Sequence, residues 1–430
     1  MSTGTEAVTP TGRRTKAVIL IGDGLADRPV PELNGRTPLE AADTPALDQI
    51  ADEGQSGQMD PISPGIRAGS DTSHLAILGY DPFKVYTGRG PFEALGIGME
   101  VRGGDICFRC NFSSLQGELQ LREGAFSGAT VVDRRAQRIS EGTRDLAAAL
   151  NGMKIGEVTC FIKESVEHRA ALVLRGPGLG HEVSDVDPHA DGLPPHAAVG
   201  RDEASQITAR ALNEFVLRSW QMLKDHPVNQ EREAAGRLPA NVVLPRGGGI
   251  APHLEPFAKR YGIAGACVVE TGLIAGIGRY LEMTVPEVPG ATGGVDSDEL
   301  ALARAVLEML ESHDFVLCNF KAPDLGGHDG DAAGKMRAAE KLDNLARHLL
   351  AHGPADLHLA VTADHCTPVS FGDHTGDTVP IAIRGPAVRP DAVDRFGERA
   401  AATGSLARIR GLDVMPILTN LMGVQEKFGA

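Results

Sequence analysis

The sequence predicts an α/β protein: a mostly parallel sheet with helices on both faces, carrying a small inserted α+β domain. Three observations lead there. Residues 17–22, 315–320, 357–362 and 379–384 are short, continuously apolar and rich in Val, Ile and Leu, as strands covered on both faces are. Residues 300–310 and 334–352 instead repeat apolar side chains every three or four positions with charges between them, the spacing of amphipathic helices. The 430 residues also exceed the ~250–300 at which one hydrophobic core stops growing, so a second, smaller domain is expected.

Taken in order, residues 1–15 (MSTGTEAVTPTGRRT) contain no apolar stretch and are expected to form a disordered tail rather than a secretory leader, which points to the cytoplasm. The first strand ends on Asp23. Ser70 lies in IRAGSDTSHLAILGYDP, where Gly69 permits a tight approach and residue 71 onward reads as the first turn of a helix; on residue type alone Ser70 is an N-cap. Within 118–193, a helical stretch at 141–150 precedes strand-like runs at 158–165 and 168–176 with a hairpin-length break between them. Polar, turn-rich residues 131–138 and 183–192 flank these runs. The core is therefore assigned to 16–117 and 194–430, and a substrate or lid domain to 118–193. The strands at 315–320 and 357–362 run into DLGGH (Asp324, His328) and ADH (Asp364, His365), and GDHTGD (His374) precedes the one at 379–384.

Composition removes several functions. A net charge of −15 argues against nucleic-acid binding, and no run approaches the ~20 apolar residues of a membrane helix. The six cysteines suggest no disulfide framework; Cys107 and Cys110 form a CxxC without a second pair or nearby histidines, and Cys366 beside His365 is read as structural. The glycines at 176–180, 276 and 278 lack the strand-turn-helix context of a dinucleotide site.

Asp23, Ser70, Asp324, His328, Asp364, His365 and His374 together carry a chemistry. Each aspartate closes or follows a strand, and ligands of such sheets gather outside the carboxyl ends of the strands. Three aspartates and three histidines are too many for one tetrahedral ion, and clustered carboxylates repel one another unless cations intervene. Two divalent ions would suit these ligands and would stabilise an in-line phosphoryl displacement. Ser70, in the positive field of a helix N-terminus, is the candidate nucleophile. Arg28, Arg89, Arg109, Arg134, Arg135, Arg169 and Arg246 are candidates for a substrate carboxylate or phosphate. Gly247–Gly249 is either an anion nest or a mobile turn, and His74 and His189 read first as helix-surface and turn residues.

The succession LIGDGLADRP, GSDTSHLAILGYDP, TGRGPFEALGIG, FRCNF, VVDRRAQRI, EHRAALVLRG, DVDPH, HPVNQERE, LPANVVLPRGGG, APDLGGHDGD, TADHCTP and GDHTGDTVPIAIRG resembles the archaeal-type, cofactor-independent phosphoglycerate mutases of the alkaline phosphatase superfamily, from about residue 15 to about 424. The resemblance implies an alkaline-phosphatase-like core that interconverts 3-phosphoglycerate and 2-phosphoglycerate through a phosphoserine on Ser70. It implies Asp324, His328 and His374 on one metal and Asp23, Ser70, Asp364 and His365 on the other. The ions would be Mn²⁺, with Mg²⁺, Co²⁺ or Zn²⁺ as alternatives, and no organic cofactor is implied. Its partner would be a small phosphorylated acid, not nucleic acid or membrane; the oligomeric state is left open. A phosphoserine must be shielded from water in a mutase, which is the duty expected of the lid. One position departs from the pattern: many relatives have a basic residue where Ala275 stands. That keeps two alternatives in view, a metal-dependent phosphatase or phosphotransferase acting on another small phosphorylated or phosphonate-bearing hydroxy acid, and an inactive metal-binding regulatory homologue.

Overall fold

A computed structural model describes residues 15–252, 254–425, 427 and 429; apart from Thr15, the expected tail lies outside them. In chain order the strands are β1 (Lys16–Gly22), β2 (Gly54–Asp60), β3 (Ile106–Arg122), β4 (Ala125–Asp133), β5 (Met153–Ile155), β6 (Val158–Glu164), β7 (Arg169–Arg175), β8 (Val242–Ile250), β9 (Gly265–Val269), β10 (Phe315–Phe320), β11 (Leu357–Ala363), β12 (Val379–Arg384) and β13 (Ala407–Arg410). They fall into two compact units, one running to Val85 and resuming at Leu254, the other Tyr86–His253.

The first unit holds a seven-stranded sheet in the order β13-β2-β12-β11-β1-β10-β9. Pairs β9–β10, β10–β1, β1–β11 and β2–β13 are parallel, while β12 runs antiparallel to β11 and β2. Strands β10 and β11 are buried along their whole length, and β1 from Ala17 onward, so both faces of the sheet are covered, as their unbroken apolar runs require. The register sets up everything that follows. Gly22 at the end of β1 pairs with Phe320 of β10 and Ala363 of β11, so the residues after these strands emerge side by side. The helices Glu299–Ser312 and Ala332–His352 fill the two segments predicted as helical. Strand β2, GQSGQMD, has no apolar signature. Its Gly54 lies where a Cβ would come within 2.5 Å of the carbonyls of Ile50 and Ile383, a close approach that only glycine tolerates.

The second unit has the sheet β4-β3-β7-β6-β5, with β8 also pairing with β3. The hairpin β6–β7 and the helix Thr143–Leu150 lie where the sequence predicts them. The unit reaches well beyond 118–193 because β3 pairs with β7 over Ile106–Asn111 and with β8 over Ile106–Ser113. Residues 86–117 and 194–253, assigned above to the core, therefore group with it. Gly247–Gly249 belongs to β8 and is no mobile turn: a Cβ on Gly88, at φ +143°, would strike the Gly248 carbonyl at 2.4 Å.

Cys107 and Cys110 sit three residues apart on β3 and so face opposite sides of the sheet. Cys107 packs with Ala94, Ala171 and Val173; Cys110 joins the core of Phe108, Phe112, Phe215 and Val242. The CxxC is thus two separate core thiols. All six cysteines are free and buried, and burial pushes Cys160, Cys267 and Cys366 up to about 12 and the other three higher still. A thiol reagent at pH 8 should therefore leave the native protein unmodified and titrate six groups in guanidinium chloride; rapid modification of any thiol in the native protein would contradict this burial.

Candidate active site

Three aspartates meet where β1, β10 and β11 end. Asp23 follows β1 and Asp364 follows β11; Asp324 is the third residue of the helix Ala322–His328 that succeeds β10. None is more than 2% exposed. Gly24, at φ +58°, lets them converge: its N–H donates to Asp364 Oδ1 at 2.9 Å, and a Cβ there would lie 2.5 Å from Asp324 Oδ1. Ligand atoms of Asp23, Asp364 and His365 lie within 4.8 Å of one another, as do those of Asp324, His365 and His374. His365 thus stands in both groups, whereas the family pattern allots it to one. His328 sits one helical turn from Asp324, its Nε2 3.3 Å from Asp324 Oδ2. The His365 and His374 rings stack with centroids 3.6 Å apart.

Counting protons assigns each histidine tautomer. His374 Nδ1 lies 2.8 Å from the Ala68 carbonyl and His328 Nδ1 2.9 Å from the Gly372 carbonyl; a carbonyl only accepts, so both Nδ1 atoms carry hydrogen. Thr367 Oγ1 spends its one proton on Asp324 Oδ1 at 2.8 Å and must accept from His365 Nδ1 at 2.9 Å. In each ring Nε2 is left to face the carboxylates, the arrangement by which outer hydrogen bonds orient metal-ligating imidazoles.

Such a site calls for cations. Burial lowers His365 to about 4, so its Nε2 lone pair faces Asp364 Oδ2 at 3.3 Å. Asp364 Oδ2 is itself buried and has no hydrogen-bond partner among the described residues. Two acceptors that close need a cation or a proton between them. Burial, with the Asp23 charge beside it, pushes Asp364 up to about 7. A donor set of carboxylates and imidazoles fits divalent ions such as Mn²⁺ or Zn²⁺.

Ser70 is the first residue of the helix Ser70–Ile77, and its N-cap is Gly69. The predicted capping role therefore falls to its neighbour, and Ser70 Oγ is free to lie 3.1 Å from His365 Nε2. His74 is no surface residue either. It is fully buried beneath Ser70, Nδ1 donating to the Ser70 carbonyl at 2.6 Å and Nε2 accepting from Asn319 Nδ2 at 3.2 Å. Asn319 Nδ2 also donates to Asp23 Oδ2 at 3.1 Å.

Lys321 is the functional residue that sequence reasoning missed. Its Nζ donates to Asp23 Oδ1 at 2.7 Å and to Asp324 Oδ2 at 2.6 Å. Burial works against its charge, yet the two carboxylates hold the ammonium well above its ordinary range. The same contact, with that from His328, holds Asp324 well below the usual carboxylate range despite its burial. Its place directly after a strand at the aspartate end of the sheet was the available signal.

The family model for 2,3-bisphosphoglycerate-independent phosphoglycerate mutase matches residues 51–229. The chain is 52% identical over 421 residues to the Methanothermobacter thermautotrophicus protein named 2,3-bisphosphoglycerate-independent phosphoglycerate mutase 1, covering 96% of this chain and all of the relative. The chain belongs to the 2,3-bisphosphoglycerate-independent phosphoglycerate mutases. A Methanopyrus kandleri member of the family is 50% identical over 98% of the chain and 99% of its own length. Among solved structures, a Pyrococcus horikoshii protein aligns with TM-score 0.83 and 36% identity over 97% of this chain and all of that one. The cofactor-independent phosphoglycerate mutase of Thermoplasma acidophilum aligns with TM-score 0.72 and 39% identity over 95% and 100%.

Three of the seven expected arginines gather in this member of the mutase family. Arg109, Arg169 and Arg246 line a narrow hollow in the second unit together with Glu93 and Asn111. Arg109 Nε lies 3.0 Å from Glu93, and Arg89 Nε 3.7 Å from the same carboxylate. Burial and the neighbouring guanidinium groups lower Arg109 to about 10, Glu93 opposing them. Arg246 Nε is buried without a hydrogen-bond partner among the described residues and lies 3.5 Å from Asp187. Guanidinium groups gathered in this way have the chemistry to receive a carboxylate or phosphate. Arg134 is committed elsewhere, donating from both Nε and Nη2 to buried Asp187 at 2.7 and 2.6 Å. Exposed Arg28 pairs with Asp377 at 2.9 Å in the first unit, and His189 with Asp185 at 2.9 Å. Ala275 is buried in the helix Gly272–Tyr280.

Two protons stand in a cation's way. The bond to Asp324 raises His328 to about 9, and Asp364 is raised to about 7, so below those values each group holds a proton that a metal must displace. Apparent Mn²⁺ affinity should climb from pH 6 to pH 9 and level off above. Calorimetry near pH 7 in buffers of differing ionisation enthalpy should read net proton release; pH-independent binding without release would show that neither group is displaced.

Proposed function

We propose that this chain interconverts 3-phosphoglycerate and 2-phosphoglycerate in the cytoplasm, through a phosphoserine on Ser70 and with two divalent cations, Mn²⁺ before Mg²⁺, Co²⁺ or Zn²⁺, as its only cofactors. The observation that carries the reading is Ser70 Oγ, free of capping duty and 3.1 Å from His365 Nε2, in a chain of this family. Asp23, Asp364 and His365 would hold one ion with Ser70 beside it; Asp324, His374 and His328 would hold the other, with His365 between the two groups. When bound, the ions would ease loss of the Ser70 proton and balance charge on the phosphoryl oxygens.

The chain's own residues do the rest. Ser70 Oγ attacks phosphorus in line with the glycerate oxygen; the Oγ–P bond forms as the P–O bond to glycerate breaks, and the serine proton ends on the glycerate oxygen. Glycerate then offers its other hydroxyl, which takes the phosphoryl group back and returns a proton to Ser70. Lys321 holds positive charge at Asp23 and Asp324 throughout. Arg109, Arg169 and Arg246, with Arg89 nearby, would receive the substrate's carboxylate or phosphate, while Arg134 keeps Asp187 in place and Arg28 remains a surface pair. Water would hydrolyse the phosphoserine, so a mutase must exclude it where a phosphatase need not. We assign that duty to the expected lid segment 118–193.

Three measurements test this. Incubating the Mn²⁺-loaded protein with 3-phosphoglycerate and following ³¹P NMR should show 2-phosphoglycerate with little free phosphate, and phosphate alone would overturn the mutase reading. Ser70→Ala should abolish turnover while changing stability by about 0.5 kcal/mol or less, since Gly69 is the cap. Replacing Arg109 and Arg169 by Ala should lower isomerisation much more than phosphate release from an activated aryl phosphate. Equal loss of both activities in folded variants would remove these arginines from substrate handling.

A further inference from the structure

Lys335 is the fourth residue of the helix Ala332–His352, and its side chain is wholly buried. Its three ammonium protons have three acceptors: the Ala26 carbonyl at 2.9 Å, Asp27 Oδ2 at 2.8 Å and the Thr367 carbonyl at 2.8 Å. Each lies in a segment that carries metal-ligand candidates. Ala26 and Asp27 follow Asp23 within four residues, and Thr367 follows Asp364 and His365. The third segment is held by contact rather than by hydrogen bonds: a Cβ on Gly326, between Asp324 and His328, would lie 2.9 Å from the Lys335 nitrogen and 3.0 Å from its Cα. Asp27 extends the junction, accepting from the Val369 N–H at 3.2 Å and the Arg28 N–H at 2.8 Å. Leu25 and Ala26 also bridge to Cys366.

We propose that Lys335, acting through Thr367, is a positioning residue of the metal centre: one ammonium spaces the loops after β1 and β11, and the Thr367 hydroxyl transmits that spacing to Asp324 and His365. Thr367 makes the link short. Its carbonyl accepts from Lys335, while its hydroxyl donates to Asp324 Oδ1 at 2.8 Å and accepts from His365 Nδ1 at 2.9 Å. Lys335 itself has no proton left for a substrate. A buried ion pair is weak evidence for stability, because apolar side chains of similar volume serve a core as well or better. What the pair supplies here is geometry, and metal ligands must be held to about 0.2 Å. This inference rests on the reading of the site as a cation centre, and its test separates the two.

The test uses the full chain and Mn²⁺ alone, titrated calorimetrically at 20 °C, with electron paramagnetic resonance of the bound ion and thermal melting of the metal-free protein. Wild type should bind Mn²⁺. Lys335→Met should weaken binding by about tenfold or more, the range found for outer-shell partners of metal ligands. Lys335→Met/Asp27→Asn, which removes both charges, should regain melting temperature without regaining affinity. Thr367→Val should weaken binding as Lys335→Met does, and Thr367→Ser should restore it; this second pair decides the matter if Lys335→Met fails to fold. Folded variants that bind Mn²⁺ like wild type, with an unchanged resonance spectrum, would overturn the positioning role and leave the cation reading intact. Failure of wild type itself to bind would overturn the cation reading and this inference with it.

Discussion

Three carboxylates buried at one end of a sheet are tolerable only if positive charge is built in beside them. Asp23, Asp324 and Asp364 are each almost wholly removed from water, and the parallel register of β1 with β10 and β11 leaves them nowhere else to go. Their mutual repulsion in a medium of low dielectric is severe. The surroundings answer it in several ways: Lys321 between two of them, a raised proton affinity at Asp364, and N–H donors from Gly24 and Asn319. The sequence around the three strand ends is organised by that requirement more than by packing.

Rigidity in the site comes from groups that do no chemistry. The carbonyls of Ala68 and Gly372 and the hydroxyl of Thr367 point each imidazole by its far nitrogen. Arg67 ties the segment before Ser70 to the His374 loop, Nε donating to the His374 carbonyl at 2.7 Å and Nη2 to Asp373 at 2.6 Å. Its guanidinium also lies over the Phe371 ring. Loops that would be mobile in isolation are thereby held by backbone acceptors, which side-chain substitution does not remove.

The strands that matter most were legible because burial on both faces demands unbroken apolar runs, and the loops at their ends stood out as polar residues where the runs stop. That is how Asp23, Asp324 and Asp364 were visible at once. Lys321 was not, because a lysine after a strand is normally solvated and nothing local says that two aspartates, one almost 300 residues away, will enclose it. His74 carries the spacing of an ordinary helix residue; only the sheet beneath it makes it internal. The second unit's true extent depends on β3 pairing with β7 and β8 across a long loop, and β2 hides behind glycine and glutamine. Arg134 read as a free anion receptor because the bond to Asp187 joins residues 53 apart.

The ammonium of Lys321 has a further consequence, for the life history of the protein. Small domains stitched together by a structural ion stay unfolded until the ion arrives. Here the charges that an ion would neutralise are already partly balanced from within, so the chain can leave the ribosome and fold around an internal substitute. Folding then need not wait on the arrival of an ion.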